Sequence, residues 1–209
     1  MEFYLIRHTT PDVPVGTCYG QTDLGLTATF DAEAAAILPH LPAGIRTVYS
    51  SPLQRCRKLA ERLFPGQLLC FDDRLKEIHC GDWEGRPWDS IEPGPLQAWM
   101  ANRLHACIPG GESYTQLYER VTDFLQDLPP AEGPFAIVTH GGVIRSLLAH
   151  INEVSLGDSF DAFPIHYGCL VHVQRQEERL AHRFLHNVKR GEERHRPSLG
   201  KLRMTSGNT

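Results

Sequence analysis

The sequence predicts an α/β fold, a three-layer α/β/α sandwich around a mainly parallel sheet. Three observations point there. Short β-rich apolar runs alternate with helical segments along the 209 residues. Alternating units of this size imply parallel strands covered by helices on both faces. The most reactive side chains follow directly on strand ends, where ligands bind in such sheets.

Phe3–Ile6 reads as the first strand, followed by a loop punctuated by Pro11, Pro14, Gly16, Gly20 and Gly25. Thr27 is the expected N-cap of an Ala-rich helix ending near Pro39. Thr47–Ser50 is the second strand. Ser51-Pro52 then reads as an N-cap with proline at the first helical position, opening a helix to about Phe64. Leu68–Phe71 is the third strand. The stretch 72–111 is rich in Gly and Pro and reads as a cap or insert, with a helix around Leu96–Leu104. Ser113–Leu128 is amphipathic, with Leu117, Val121, Phe124, Leu125 and Leu128 on one side. Phe135–Thr139 is the fourth strand, running into His140-Gly141-Gly142 and a helix through Ile151. A fifth strand starts at Cys169 and a sixth lies around Leu180–Leu185. Residues 1–190 read as one domain, and 191–209 as a polar C-terminal tail.

Charge narrows the partners. Residues 175–209 carry a balance of +5 and the preceding 174 residues one of −9, within a net −4. An acidic body offers no basic field for nucleic acid, so any anionic ligand needs a few local cations. No apolar stretch is long enough to span a bilayer, and the opening Met1-Glu-Phe-Tyr-Leu-Ile-Arg lacks the pattern of a signal peptide. Cys18, Cys56, Cys70, Cys80, Cys107 and Cys169 are scattered without zinc or disulfide spacing, which fits reduced thiols in a cytoplasmic protein. Neither a membrane nor a nucleic acid is an expected partner. A homo-oligomer is compatible with the composition.

Two histidines sit where the fold places ligands. His8 follows the first strand and His140 the fourth, and Gly141-Gly142 lets a ligand approach the free N–H groups of the next helix. Arg7 adjoins His8, and Arg55 lies in the first turn of the helix after the second strand. Each residue alone is ordinary. Two guanidiniums and two imidazoles converging on one spot would hold a phosphoryl group, because Arg forks match phosphate oxygens.

That joint pattern resembles the histidine phosphatase superfamily, also called the phosphoglycerate mutase-like family. Leu5-Ile-Arg7-His8 matches its signature, with Thr9 where a glycine is usual. Ser50-Ser51-Pro52-Leu-Gln-Arg55-Cys56, Leu75-Lys-Glu77-Ile-His-Cys-Gly81-Asp-Trp83-Glu84-Gly85 and Thr139-His140-Gly141-Gly142 match the remaining motifs in order. Thr10 to Leu24, containing Cys18-Tyr19-Gly20-Gln21, is similar to the α-ribazole phosphatase branch, as is Pro109-Gly-Gly-Glu-Ser113.

The resemblance implies that His8 attacks phosphorus and becomes a phosphohistidine that water then hydrolyses. It implies that Arg7, Arg55 and His140 neutralise the phosphoryl oxygens and that Glu77 is the general acid. No metal or other cofactor is expected, since the arginine and histidine charges serve instead. Glu84 is the rival acid, more plausibly a loop brace. Gly141, Tyr19, Gly20 and Gln21 are read as substrate contacts. Trp83, Trp88 and Trp99 fit an aromatic wall for a ring-bearing leaving group or, equally, cap packing.

A mutase needs cations for a second phosphate. Between Ile78 and Glu112 the chain supplies Arg86 and Arg103 against Asp82, Glu84, Asp89, Glu92 and Glu112. The expected substrate is therefore a small-molecule phosphate monoester without a second phosphate. α-Ribazole 5′-phosphate fits, which would place the enzyme in cobalamin biosynthesis. A broad-specificity sugar-phosphate or nucleotide phosphatase is the alternative, a phosphoglycerate mutase less so, and a non-catalytic phosphate binder least.

Overall fold

A computed structural model describes residues 1–130, 132–177 and 179–189. Strands β1 (Glu2–Arg7), β2 (Thr47–Ser50), β3 (Leu68–Phe71), β4 (Phe135–Thr139), β5 (Leu170–Gln176) and β6 (Arg179–His186) form one sheet in the order β3-β2-β4-β1-β5-β6. The pairs β3–β2, β2–β4 and β4–β1 are parallel, while β5 runs antiparallel to β1 and β6 antiparallel to β5. The helices are α1 (Phe30–Ile37), α2 (Gln54–Leu63), α3 (Pro93–Ala101), α4 (Tyr114–Gln126), α5 (Gly141–Ile151) and α6 (Ser159–Ala162).

Strand alternation explains the three layers. On one face Phe3, Leu5, Phe135 and Ile137 pack with Leu117, Val121 and Phe124 of α4 and Val143, Ile144 and Leu147 of α5. On the other, Tyr4, Ile6, Ala136 and Val138 pack with Ala34 and Ile37 of α1 and Leu59, Ala60 and Leu63 of α2. Successive side chains of a strand point to opposite faces, so β1 and β4 must be apolar throughout. They are buried along nearly their whole length.

The helix starts differ from expectation in instructive ways. α1 begins after Thr29 rather than Thr27, whose hydroxyl instead donates to the Thr10 carbonyl at 3.3 Å. α2 begins at Gln54 because Leu53 is still extended, and Ser51 serves the site described below instead of capping. Pro93 opens α3 three residues earlier than the apolar pattern suggested. α4 matches closely: Ser113 accepts from the Gln116 N–H at 3.2 Å, and Gln116 accepts from the Ser113 N–H at 2.9 Å, a complete capping box. α6 carried no sequence signal.

The stretch 72–111 holds α3 and several single 3-10 turns. It is tied to the loop after β1: the N–H of Cys18 donates to Arg86, that of Gly85 to Cys18 and that of Trp88 to Gly16, at 2.8–2.9 Å. Trp83, Trp88 and Trp99 contact one another with ring centroids 5.7–6.2 Å apart. Trp83 and Trp99 are buried, so those two rings pack the cap. The expected tail over 191–209 lies outside the described residues. Among the described residues no helix is long and apolar enough to cross a membrane.

Candidate active site

Strand register brings the site together. Arg7 pairs with Thr139 and Ser50 with Val138 across the parallel strands. His8, His140 and Ser51 are each the next residue at the same carboxyl edge of the sheet. The His8 N–H donates to Thr139 at 3.0 Å and the Ser51 N–H to Val138 at 3.0 Å, continuing the ladder past the strand ends. The rings of His8 and His140 lie 5.1 Å apart in an edge-to-face arrangement, and both are almost wholly buried.

Hydrogen bonding sets the His8 tautomer. Its Nδ1 is 2.7 Å from the Thr9 carbonyl oxygen. A carbonyl only accepts, so Nδ1 carries the proton, and a neutral ring then keeps its lone pair on Nε2. Nε2 is thereby the ring nitrogen left with a lone pair.

Both arginines are fixed. Arg7 donates to the Ile165 carbonyl at 2.7 Å, and its guanidinium lies 3.9 Å from the Tyr167 ring centroid. Arg55 is fully buried and donates to the carbonyls of Thr22 (2.8 Å) and Gly20 (2.6 Å). Its Nε has no hydrogen-bond partner among the described residues. A buried charged donor left over in this way suits an anion's oxygen. Tyr19 and Tyr167 join hydroxyl to hydroxyl at 2.6 Å and link the loop after β1 to the one before β5. Burial raises the Tyr19 pKa despite the arginines nearby.

Burial holds the His140 pKa well below the usual histidine range, and the charges of Arg55, His8 and Arg7 push it the same way. Burial thus favours the neutral ring. His140 Nε2 is 2.8 Å from Ser51 Oγ and 3.4 Å from Cys56 Sγ. Burial raises the Cys56 thiol pKa to about 12, so it stays protonated.

Glu77 meets the start of α5. Its Oε2 accepts from the Gly142 N–H at 3.0 Å and its Oε1 from the Ile78 N–H at 2.9 Å. A Cβ on Gly142 would overlap Glu77 Oε1, and one on Gly141 would press the Arg7 guanidinium at 3.3 Å. The two glycines let acid and arginine approach the helix opening. Gly20 is equally confined, because a Cβ there would overlap the Ile78 carbonyl.

Glu84 does a different job. It accepts from the N–H groups of Gly20, Gln21, Thr22 and Cys80 and from the Thr22 hydroxyl. Burial raises its pKa, but these donors outweigh that and hold it below the usual carboxylate range. Gln21, expected at the substrate, turns its amide to the Glu77 carbonyl at 3.1 Å.

Sequence reasoning missed three residues of this site. Ser51 was at a strand end but looked like a helix cap. Cys56 was in a quoted motif without a role. Tyr167 lies in an irregular stretch.

A family model described as histidine phosphatase superfamily (branch 1) matches residues 3–187. The chain belongs to that superfamily. Among solved histidine phosphatases and relatives, the α-ribazole phosphatase from Shigella flexneri aligns with a TM-score of 0.82 at 25% identity, covering 92% of this chain and all of that one. The phosphoglycerate mutase from Thermus thermophilus aligns with a TM-score of 0.65 at 34% identity, covering 87% of this chain and 96% of that one. A metal-independent phosphoserine phosphatase from Arabidopsis thaliana is 32% identical over 167 residues, 74% of this chain and 70% of its own.

Proposed function

We propose that this histidine phosphatase hydrolyses phosphate monoesters through a phosphohistidine on His8, without a metal. The observation that carries this reading is the Nδ1–carbonyl bond of His8, which leaves the Nε2 lone pair available beside His140, a ring that also feels the charges of Arg7 and Arg55.

Nε2 attacks phosphorus while the bond from phosphorus to the leaving oxygen breaks. Protonated Glu77 gives its proton to that oxygen. Water then attacks the phosphohistidine, Glu77 takes the water's proton, and the phosphorus–nitrogen bond breaks to restore His8. Arg7, Arg55 and His140, protonated once the dianion is bound, balance the charge on the three phosphoryl oxygens, which is most of what phosphoryl transfer asks of a protein.

α-Ribazole 5′-phosphate is the substrate this reading favours, with a place in cobalamin biosynthesis and in the cytoplasm. Support comes from the likeness to the Shigella flexneri enzyme and from the charge of the cap. That charge filter is smaller than the sequence suggested, since Glu84 and Glu112 are taken up by internal bonds. Asp82, Asp89 and Glu92 remain exposed to repel a second phosphate.

A panel of kcat/KM values tests the assignment, using α-ribazole 5′-phosphate, L-phosphoserine, 3-phosphoglycerate, fructose bisphosphates and nucleotides. Clear preference for α-ribazole 5′-phosphate is expected. A flat profile, or preference for phosphoserine, removes that substrate and leaves the phosphatase. No turnover of any monoester at any pH removes the enzyme.

A further inference from the structure

We propose that Arg120 and Glu112 form a clamp that positions Glu77 for proton transfer, a role resting on the reading of Glu77 as the general acid. Arg120 adds its charge to those felt by His140. Its hydrogen bonds, and those of Glu112, run to the main chain around the acid.

Arg120, on the second turn of α4, spreads its guanidinium over acceptors on three residues. Nη1 donates to the Arg74 carbonyl at 2.5 Å. Nη2 donates to the Glu77 carbonyl at 3.0 Å and to Glu112 Oε1 at 2.6 Å, and Nε donates to Glu112 Oε2 at 3.0 Å. Glu112 Oε1 also accepts from the His79 N–H at 2.8 Å, and the Glu112 N–H donates to the His79 carbonyl at 3.0 Å. The segment carrying the acid is thus pinned at residues 74, 77 and 79 by one ion pair. Beyond Leu75 this stretch has no helix or strand of its own until the single turn at Gly81–Trp83.

The chemistry of the pair fits this use. Both side chains are mostly buried, with 20% and 15% of their surface exposed. Burying an ion pair gains little net stability, since desolvation offsets the attraction. Only a planar, five-donor guanidinium can bind a carboxylate through two nitrogens and reach two separate carbonyls as well. Lysine has the charge but lacks the fork. A carboxyl that must reach the leaving oxygen tolerates little misplacement.

The leaving group separates a positioning role from a brace of the fold. A dinitrophenolate departs unaided, whereas an alkoxide needs a proton. Arg120→Met, Arg120→Lys, Glu112→Gln and Glu77→Gln are compared on 2,4-dinitrophenyl phosphate and on glycerol 2-phosphate. Glu77→Gln should lose about 10²-fold or more in kcat/KM, which reports formation of the phosphohistidine, on the alkyl ester and about 3-fold or less on the aryl ester. Arg120→Met and Glu112→Gln should show the same selective loss at about 10- to 100-fold on the alkyl ester, with Arg120→Lys no better than partly restored.

Equal losses on both esters for Arg120→Met and Glu112→Gln, beside a selective loss for Glu77→Gln, would make the pair a brace and overturn the proposal. Equal losses for Glu77→Gln itself would instead overturn the reading of Glu77, and the clamp with it. If Arg120→Met does not fold, Glu112→Gln and Arg120→Lys decide by the same criterion.

Discussion

Replacing Glu84 by glutamine keeps the shape of the side chain and removes its charge. The wild-type carboxylate gathers four backbone N–H groups and one hydroxyl from the segments 20–22 and 80. In the glutamine variant one oxygen becomes an NH2 group. At the Oε1 position it would face the Gln21 and Cys80 N–H groups, now 2.7 and 3.1 Å from an acceptor. At the Oε2 position it would face the Thr22 N–H, now at 3.2 Å. Either way at least one buried donor loses its acceptor, and the remaining bonds lose their charge assistance. Bonds to charged groups contribute about 1.5–3 kcal/mol each and neutral ones about 1, so the total cost is about 3–5 kcal/mol. For a chain of this size that lowers Tm by about 10 °C. Because the Glu84 pKa is lowered on folding, its contribution is present above the unfolded carboxylate range and is lost as pH falls through the folded value. The gap between the two proteins should close in acid. Melting curves from pH 2.5 to 8 measure this, and kcat/KM on aryl and alkyl esters is taken in parallel. A drop in Tm of less than about 3 °C at pH 7 would refute the brace. A loss confined to alkyl esters would make Glu84 the acid.

Further outcomes follow from the same geometry. The unfolded chain binds a proton at His140 that the folded chain refuses, so stability should be full above pH ~6.5 and fall below it. Inorganic phosphate should raise Tm more at pH 5.5 than at pH 7.5, and His140→Asn should flatten the ligand-free slope. Gly142→Ala places a methyl on Glu77 Oε1 and against Leu117 at 3.1 Å, so kcat on alkyl esters should fall at least about 10-fold while the protein stays folded by circular dichroism. Alkylation of the native protein at pH 8 should label exposed Cys107 and leave Cys56 unlabelled, as mass spectrometry of peptides will show.

Much of the fold was legible because strand and helix signals agree with burial. Thr47–Ser50, Leu68–Phe71 and Phe135–Thr139 have the bounds their apolar β-rich runs imply, and α5 runs from Gly141 to Ile151 as read. Where side chains answer to tertiary partners, the local rules misled. Ser51-Pro52 has the form of a helix start, yet its hydroxyl is bonded to His140, 89 residues away. The proximity of His8 and His140 was legible for a related reason: both follow strand ends, and β-register alone brings them together. Gln21 and Arg120 bond to backbone carbonyls, and Tyr167 stacks on a guanidinium and shares a hydroxyl pair. Such contacts depend on how loops meet, and no residue spacing encodes them.

The most direct test of His8 as nucleophile is rapid-quench trapping with a phosphate monoester labelled at phosphorus, followed by peptide mapping. The expected result is one acid-labile, alkali-stable phosphoryl group on the peptide carrying His8, absent from His8→Ala and accumulating in Glu77→Gln with an aryl ester. Label on another residue, or full turnover by His8→Ala, would contradict it.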